Sequence, residues 1–290
     1  MNQQSDNIKR VQIALALTGT FMLVEVIGGI LAGSLALLAD AGHMLTDTMA
    51  LALSAIAFRV STRPADAKRS YGYQRFQILA AFVNGLCLFL IVGWILVEAT
   101  RRILNPPPVL GQMMLIVAGA GLIVNVIVFF VIHGGDQENL NMRGAALHVL
   151  GDLLGSIAAI AAASIILTTG WMPIDPILSI AVALLIFRSA WHLVRRSAHI
   201  LLEGAPEWLD VSEMQGKIIG NNPQVNEIHH VHVWGLTPQH LMLTMHVALK
   251  DNLPDSTSIV RNIKGLLIKE YGINHSTIEV ECENCADDQC

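Results

Sequence analysis

Two stretches of the sequence carry the same pair of metal-capable side chains at the same interval. One holds His43 and Asp47 within Ala39-Asp40-Ala41-Gly42-His43-Met44-Leu45-Thr46-Asp47. The other holds His148 and Asp152 within Ala146-Leu147-His148-Val149-Leu150-Gly151-Asp152. Residues four apart lie one above the other on a helix, so each His-x-x-x-Asp pair aims at one spot. Two such pairs on facing helices supply two imidazoles and two carboxylates, a donor set that suits a tetrahedral Zn²⁺. All four groups bind metal only when unprotonated, so protons compete with the ion. Asp40, one turn before His43, is either a further ligand or a hydrogen-bonding partner that orients one. Both pairs sit in long apolar runs, where a carboxylate at bilayer depth costs at least ~2.5 kcal/mol. Lone polar residues in such runs, Glu25, Asn84 and Asn125, read as hydrogen bonds between helices. Four ionisable groups in matched pairs call for a function.

A second concentration of donors lies in the last third of the chain. It comprises His229, His230, His232, His240, His246 and His275, with Glu281, and with Cys282 and Cys285 in a C-x-x-C. In a reducing cytosol these cysteines are metal ligands before they are a disulfide. Alone, a C-x-x-C is half of a zinc-finger ligand set. Adjacent strands bring His232 toward His246, whereas His230 and His240 read as side chains on a solvated sheet face. Cys87, within an apolar run, reads as packing.

These donors need elements to place them. The chain has 290 residues, 53% hydrophobic and 14% charged, against about 25% charged in a soluble domain. Six apolar segments, at about 11–33, 35–60, 77–100, 112–133, 143–169 and 174–199, are each near the ~20 residues that cross a bilayer as a helix. The polar start, Met1 to Lys9, lacks the small-residue cleavage site of a signal peptide, so the first segment reads as a retained helix. Six crossings put both ends on one side. That side holds Lys9, Arg10, the Arg59 to Arg75 cluster, Arg143, Arg195 and Arg196. The positive-inside rule therefore puts both termini in the cytoplasm, with only Arg101 and Arg102 dissenting. A formal net charge of -5 and the absence of a Lys/Arg-rich tract leave no footprint for nucleic acid. No Gly-rich phosphate loop suggests a nucleotide, and no His-Glu-x-x-His suggests a metalloprotease.

The pattern changes near Gly204. Helical spacing over 207–219, alternation over 227–234 and 241–249 with a turn at 236–239, helical spacing over 256–271 and a short strand over 277–281 give αββαβ. The expected architecture is a six-helix membrane bundle, residues 1–203, followed by a small ferredoxin-like α+β cytoplasmic domain, residues 204–290.

The stretches Ser34 to Asp47 and Ala145 to Ser156 resemble the signature helices of the cation diffusion facilitator family. Asp175-Pro176-Ile177-Leu178-Ser179, Leu202-Glu203-Gly204 and His230-Val231-His232-Val233-Trp234 resemble its other motifs. The resemblance, nearest to bacterial zinc exporters, implies a homodimeric zinc/proton antiporter of the bacterial inner membrane. It implies that His43, Asp47, His148 and Asp152 form the transport site. It also implies cytoplasmic zinc sites that draw on His232, His246, His275 and Glu281; His229, Cys282 and Cys285 are further candidate ligands there. Some members have a further site in the loop after the second helix. Here Lys68, Arg69 and Ser70 stand where histidines are expected, so that site is not expected in this chain. The partners expected are therefore the bilayer, a second copy, protons and Zn²⁺, with Cd²⁺ or Co²⁺ as other cargo. A membrane zinc sensor that does not transport is the alternative.

Overall fold

The computed structural model describes residues 2–61, 63–133, 140–250 and 256–281. Six helices come first: α1 (Asn2–Ala32), α2 (Leu35–Ser61), α3 (Phe76–Leu104), α4 (Gly111–His133), α5 (Leu140–Thr169) and α6 (Ile174–Leu201). Then follow α7 (Val211–Asn221), β1 (Val225–Thr237), β2 (His240–Leu249), α8 (Ser256–Tyr271) and β3 (His275–Glu281). The αββαβ order holds. Several helices outrun the apolar segments read from the sequence. Bilayer thickness limits the hydrophobic stretch, not the hydrogen-bonded helix around it.

Five helices contain a span long and apolar enough to cross a membrane: Gln12–Ala32, Phe76–Leu104, Gly111–His133, Gly151–Thr169 and Ile174–Leu201. In α2 the apolar stretch is shorter, Leu35–Thr46 among the described residues, and it carries the polar Asp40 and His43. Large apolar side chains such as Leu90, Phe130 and Leu185 are exposed on these helices. In water such a surface would aggregate, whereas lipid is its natural solvent.

Contacts divide the chain into two compact units, Met1–Ser54 with Val83–Val194 and Ala55–Phe82 with Arg195–Cys290. In the first, α4 packs on α1 and α5, and Ala32, Ala118, Ala159, Ala162 and Ala163 keep the backbones close. A separate cluster joins α2, α3 and α6 through Ala39, Leu88, Val92, Ile95, Ala183, Ile186 and Ala190. Gly85 of α3 meets α6 so closely that a β-carbon there would lie 2.5 Å from Val194 Cγ2. Gly85→Ala is therefore expected to destabilise the fold by about 1–3 kcal/mol through overpacking. Thermal unfolding of the purified protein in detergent checks this; an unchanged midpoint would mean the helices yield without cost. The Arg101 and Arg102 that dissented on charge are both paired with Glu98, and Arg102 also donates to the Gly33 carbonyl past the end of α1.

The second unit contains the sheet, in order β1-β2-β3, with β1 antiparallel and β3 parallel to β2. The parallel pair is joined by α8, as a crossover requires. Leu243, Met245 and Val247 of β2 pack against Met214 and Ile218 of α7 and Ile259, Ile263 and Leu267 of α8. One face of the sheet is thus covered by helices. The residues between them on β2, Thr244 and His246, are half-buried on the other face. Helix α7 starts later than its spacing suggests, because Asp210 caps it by accepting from the Ser212 and Glu213 amides. Lys217 of α7 bonds Glu270 of α8 at 2.7 Å. That contact raises the ammonium pKa and lowers the carboxylate's, by hydrogen bond and charge.

Candidate metal centres

In the membrane part, Asp40 and His43 are half-buried on α2, and Asp152 is 7% exposed on α5. The two helices approach here. A β-carbon on Gly155 would lie 3.6 Å from Asp40 Oδ1, so the missing side chain admits an α2 carboxylate against α5 one turn beyond Asp152. Behind Asp152, Ser156 of α5 accepts a hydrogen bond from Asn125 Nδ2 of α4 at 3.1 Å. Thr46 turns its hydroxyl back to the His43 carbonyl at 2.6 Å, leaving the backbone to satisfy it. Glu25 of α1, 1% exposed, hydrogen-bonds the Asp40 side chain. Contact between two carboxyls is a hydrogen bond only while one of them carries a proton. Glu25, which on sequence reads as a lone helix-to-helix contact, has the Asp40 of the metal motif as its partner. Asp47 and His148 lie four residues along the same helices from His43 and Asp152, about 6 Å of rise, and their side chains lie outside the described residues.

Another carboxylate has a different job, at the N-terminal end of α2. Asp175, fully buried at the start of α6, accepts from the Ser34 hydroxyl at 2.6 Å and from the Leu35 and Ala36 amides at 2.8 and 3.2 Å. Ser34 in turn accepts from the Leu37 amide. A capping serine and a carboxylate from a distant helix together satisfy the open amides of α2.

The loop between α2 and α3 uses its Asp66 internally. The carboxylate accepts from the Lys68 and Arg69 amides and from the Tyr73 hydroxyl at 2.7 Å. The Tyr73 hydroxyl first, then these amides, hold its pKa below the ordinary carboxylate value. Arg69 lies over the Tyr73 ring, and Arg75 pairs with Glu203. Asp66 thus holds the turn of this loop together.

The C-terminal unit brings three of the expected donors together. The ligand atoms of His229, His246 and Glu281 all lie within 4.8 Å of one another. Glu281 Oε1 is 2.8 Å from His246 Nδ1, and Glu281 Oε2 is 3.1 Å from His229 Nε2. Zinc with bonds near 2.0 Å sets tetrahedral ligand atoms about 3.3 Å apart. These three fit that ion with small adjustments, and the donor types are those it takes. Register explains the grouping. His229 pairs with His246 across β1 and β2, while Glu279 and Glu281 sit beside His246 on β3. His232 instead pairs with Thr244, because His229 already takes the place opposite His246. His275 pairs with Met242, six residues up β3 from Glu281 and about 20 Å away. There it stands edge-on to Tyr71 and, with His240, lines a cavity of about 460 Å³. Cys282 and Cys285 lie outside the described residues. On sequence His230 reads as a side chain on a solvated sheet face, yet its ring is 4.9 Å from that of His246. The adjacent His229-His230 pair was the only sign of a break in the alternation.

Comparisons with known proteins agree with this architecture. Residues 11–202 match the cation efflux transmembrane domain, and residues 208–283 match the cytoplasmic domain of cation efflux proteins. The zinc transporter ZitB of Pectobacterium atrosepticum is 51% identical over 290 residues, covering 99% of this chain and 89% of that protein. The zinc transporter ZitB of Escherichia coli is 47% identical, covering 99% and 91%. A cadmium, cobalt and zinc/H(+)-K(+) antiporter of Bacillus subtilis is 42% identical, covering 97% and 91%. With apolar crossing helices, an ionisable cluster between two of them and a small α+β domain after them, the chain belongs to the cation efflux (cation diffusion facilitator) family, as a multi-pass membrane transporter of metal cations and not an enzyme.

Proposed function

We propose that this chain exports Zn²⁺ from the cytoplasm in exchange for protons, with His43, Asp47, His148 and Asp152 as the ligands of the transported ion. The observation that carries this reading is the close approach of α2 and α5 at Asp40 and Gly155, beside the buried Asp152. It turns the two His-x-x-x-Asp helices toward each other. Imidazole and carboxylate release metal when protonated, so a proton arriving from outside displaces zinc, and loss of that proton to the cytoplasm resets the site. Asp40, held by Glu25, orients the ligand set rather than completing it. The names of the relatives, zinc transporter and zinc/H(+)-K(+) antiporter, support zinc as cargo and protons as the driving ion. Cd²⁺ and Co²⁺, which accept similar donors, are secondary cargo.

Residues 1–203 form the membrane domain in this reading, in a bacterial inner membrane with both termini cytoplasmic, as the Lys and Arg distribution favours. Residues 204–290 form the cytoplasmic domain through which two copies associate. Zinc held by His229, His246 and Glu281 acts there as a regulatory ligand, biasing the equilibrium toward the state that binds it more tightly.

The test is zinc entry into proteoliposomes with an acidic lumen, against vesicles without a pH gradient. Gradient-dependent zinc accumulation is expected. No flux in either case, from protein whose cytoplasmic cluster still binds zinc, would replace the transporter reading with that of a membrane sensor.

A further inference from the structure

The strand β1 is irregular at one place. His229 and His232 are three positions apart where their partners His246 and Thr244 are two apart, so β1 carries an additional residue, a bulge. His230 absorbs it with φ of +48°, in the left-handed region that glycine occupies freely and a β-carbon resists.

The consequence is where the side chains go. Ile228 faces the helices as part of the apolar core. Strict alternation would return His230 to that face, putting an imidazole among Met245 and Val247. The bulge instead leaves His229 and His230 on the same, open face, while Val231 packs against the core and Val233 lies within it. Three half-buried imidazoles then meet. The ring centroids of His230 lie 4.9 Å from His246 and 5.5 Å from His229, and His229 lies 5.5 Å from His246. Glu281, 7% exposed, closes one side, and Glu279 Oε2 comes within 3.6 Å of His246 Nε2.

A strained backbone that persists without a turn to make is explained by what it positions. We propose that His230 is a metal ligand of the cytoplasmic cluster, completing a three-imidazole, one-carboxylate set with His229, His246 and Glu281. This rests on the reading that those three residues bind zinc. With His230 the set reaches the four donors of a closed, structural type of zinc site; with the three alone, one position stays open to water. A closed site suits a regulatory ion that is held rather than passed on. Glu279 is placed to orient His246 rather than to bind the ion.

Glycine at position 230 separates the imidazole from the strain, since it keeps the left-handed backbone and removes only the ligand. Zinc affinity of the full-length protein in detergent is measured by competition with a chromophoric chelator. An Asp152→Asn background removes a proposed ligand of the membrane site. Co²⁺ absorption reads the coordination sphere directly. His230→Gly is expected to weaken zinc binding at least ~10-fold and to change the Co²⁺ d–d bands as water replaces a nitrogen. Its apo unfolding midpoint is expected to stay unchanged or to rise. Unchanged affinity and bands in His230→Gly, with His246→Ala weakened, would overturn the role of His230 and leave the three-residue site standing. Unchanged affinity in both would remove that site, and the proposal with it.

Discussion

Asp152→Asn is expected to lower gradient-driven zinc flux by about 100-fold or more, while the purified protein unfolds at a higher temperature than the wild type. Two opposite movements follow from one physical fact. A carboxylate 7% exposed between membrane helices is costly to keep ionised there, at least ~2.5 kcal/mol at bilayer depth. Asparagine has the same shape, and it removes both that cost and the ligand charge. A polar residue kept only for packing between α4 and α5 would lose nothing in flux. Flux assays on reconstituted protein and thermal unfolding in detergent read the two effects separately. Wild-type flux in Asp152→Asn would show that the ion bypasses this position.

Asp175→Ala is expected to produce the largest loss of stability, about 3 kcal/mol or more. Its carboxylate accepts from one hydroxyl and two backbone amides, all buried. Removing it leaves those donors without an acceptor, each at a cost of about 1–3 kcal/mol, and takes a negative charge from the positive end of the α2 dipole. Asp175→Asn retains one acceptor oxygen and is expected to lose roughly half as much. Because this bond joins the first turn of α6 to the start of the helix that carries Asp40 and His43, the alanine variant is also expected to lose zinc affinity in step with stability. A chemical unfolding midpoint within the ~0.5 kcal/mol typical of surface changes would show that water satisfies those amides.

Much of this protein is legible without coordinates because a bilayer is a strict solvent. It demands about twenty apolar residues per crossing and forbids unpaired backbone, so the six segments and the isolation of His43 and Asp152 within them stand out in the chain itself. The hairpin turn within 236–239 and the αββαβ order follow similarly from periods of 2 and 3.6. Ser34 announces a helix start. Its partner Asp175 lies 141 residues away, and no local pattern joins them.

What the sequence alone decided, then, was which residues have the chemistry and which elements carry them. Tertiary structure decided which of them meet. Glu25 reads as an incidental polar residue until α1 packs and sets it on Asp40. His232 and His275 share the chemistry of His229 and His246, yet strand register sends them to Thr244 and to the far end of β3. One extra residue in β1 is what brings His230 onto the face of His229 and His246. Side chains alternate with a period of two, so a single insertion moves every later side chain to the opposite face. That parity is a property of strand pairing, which the order of residues along one strand does not contain.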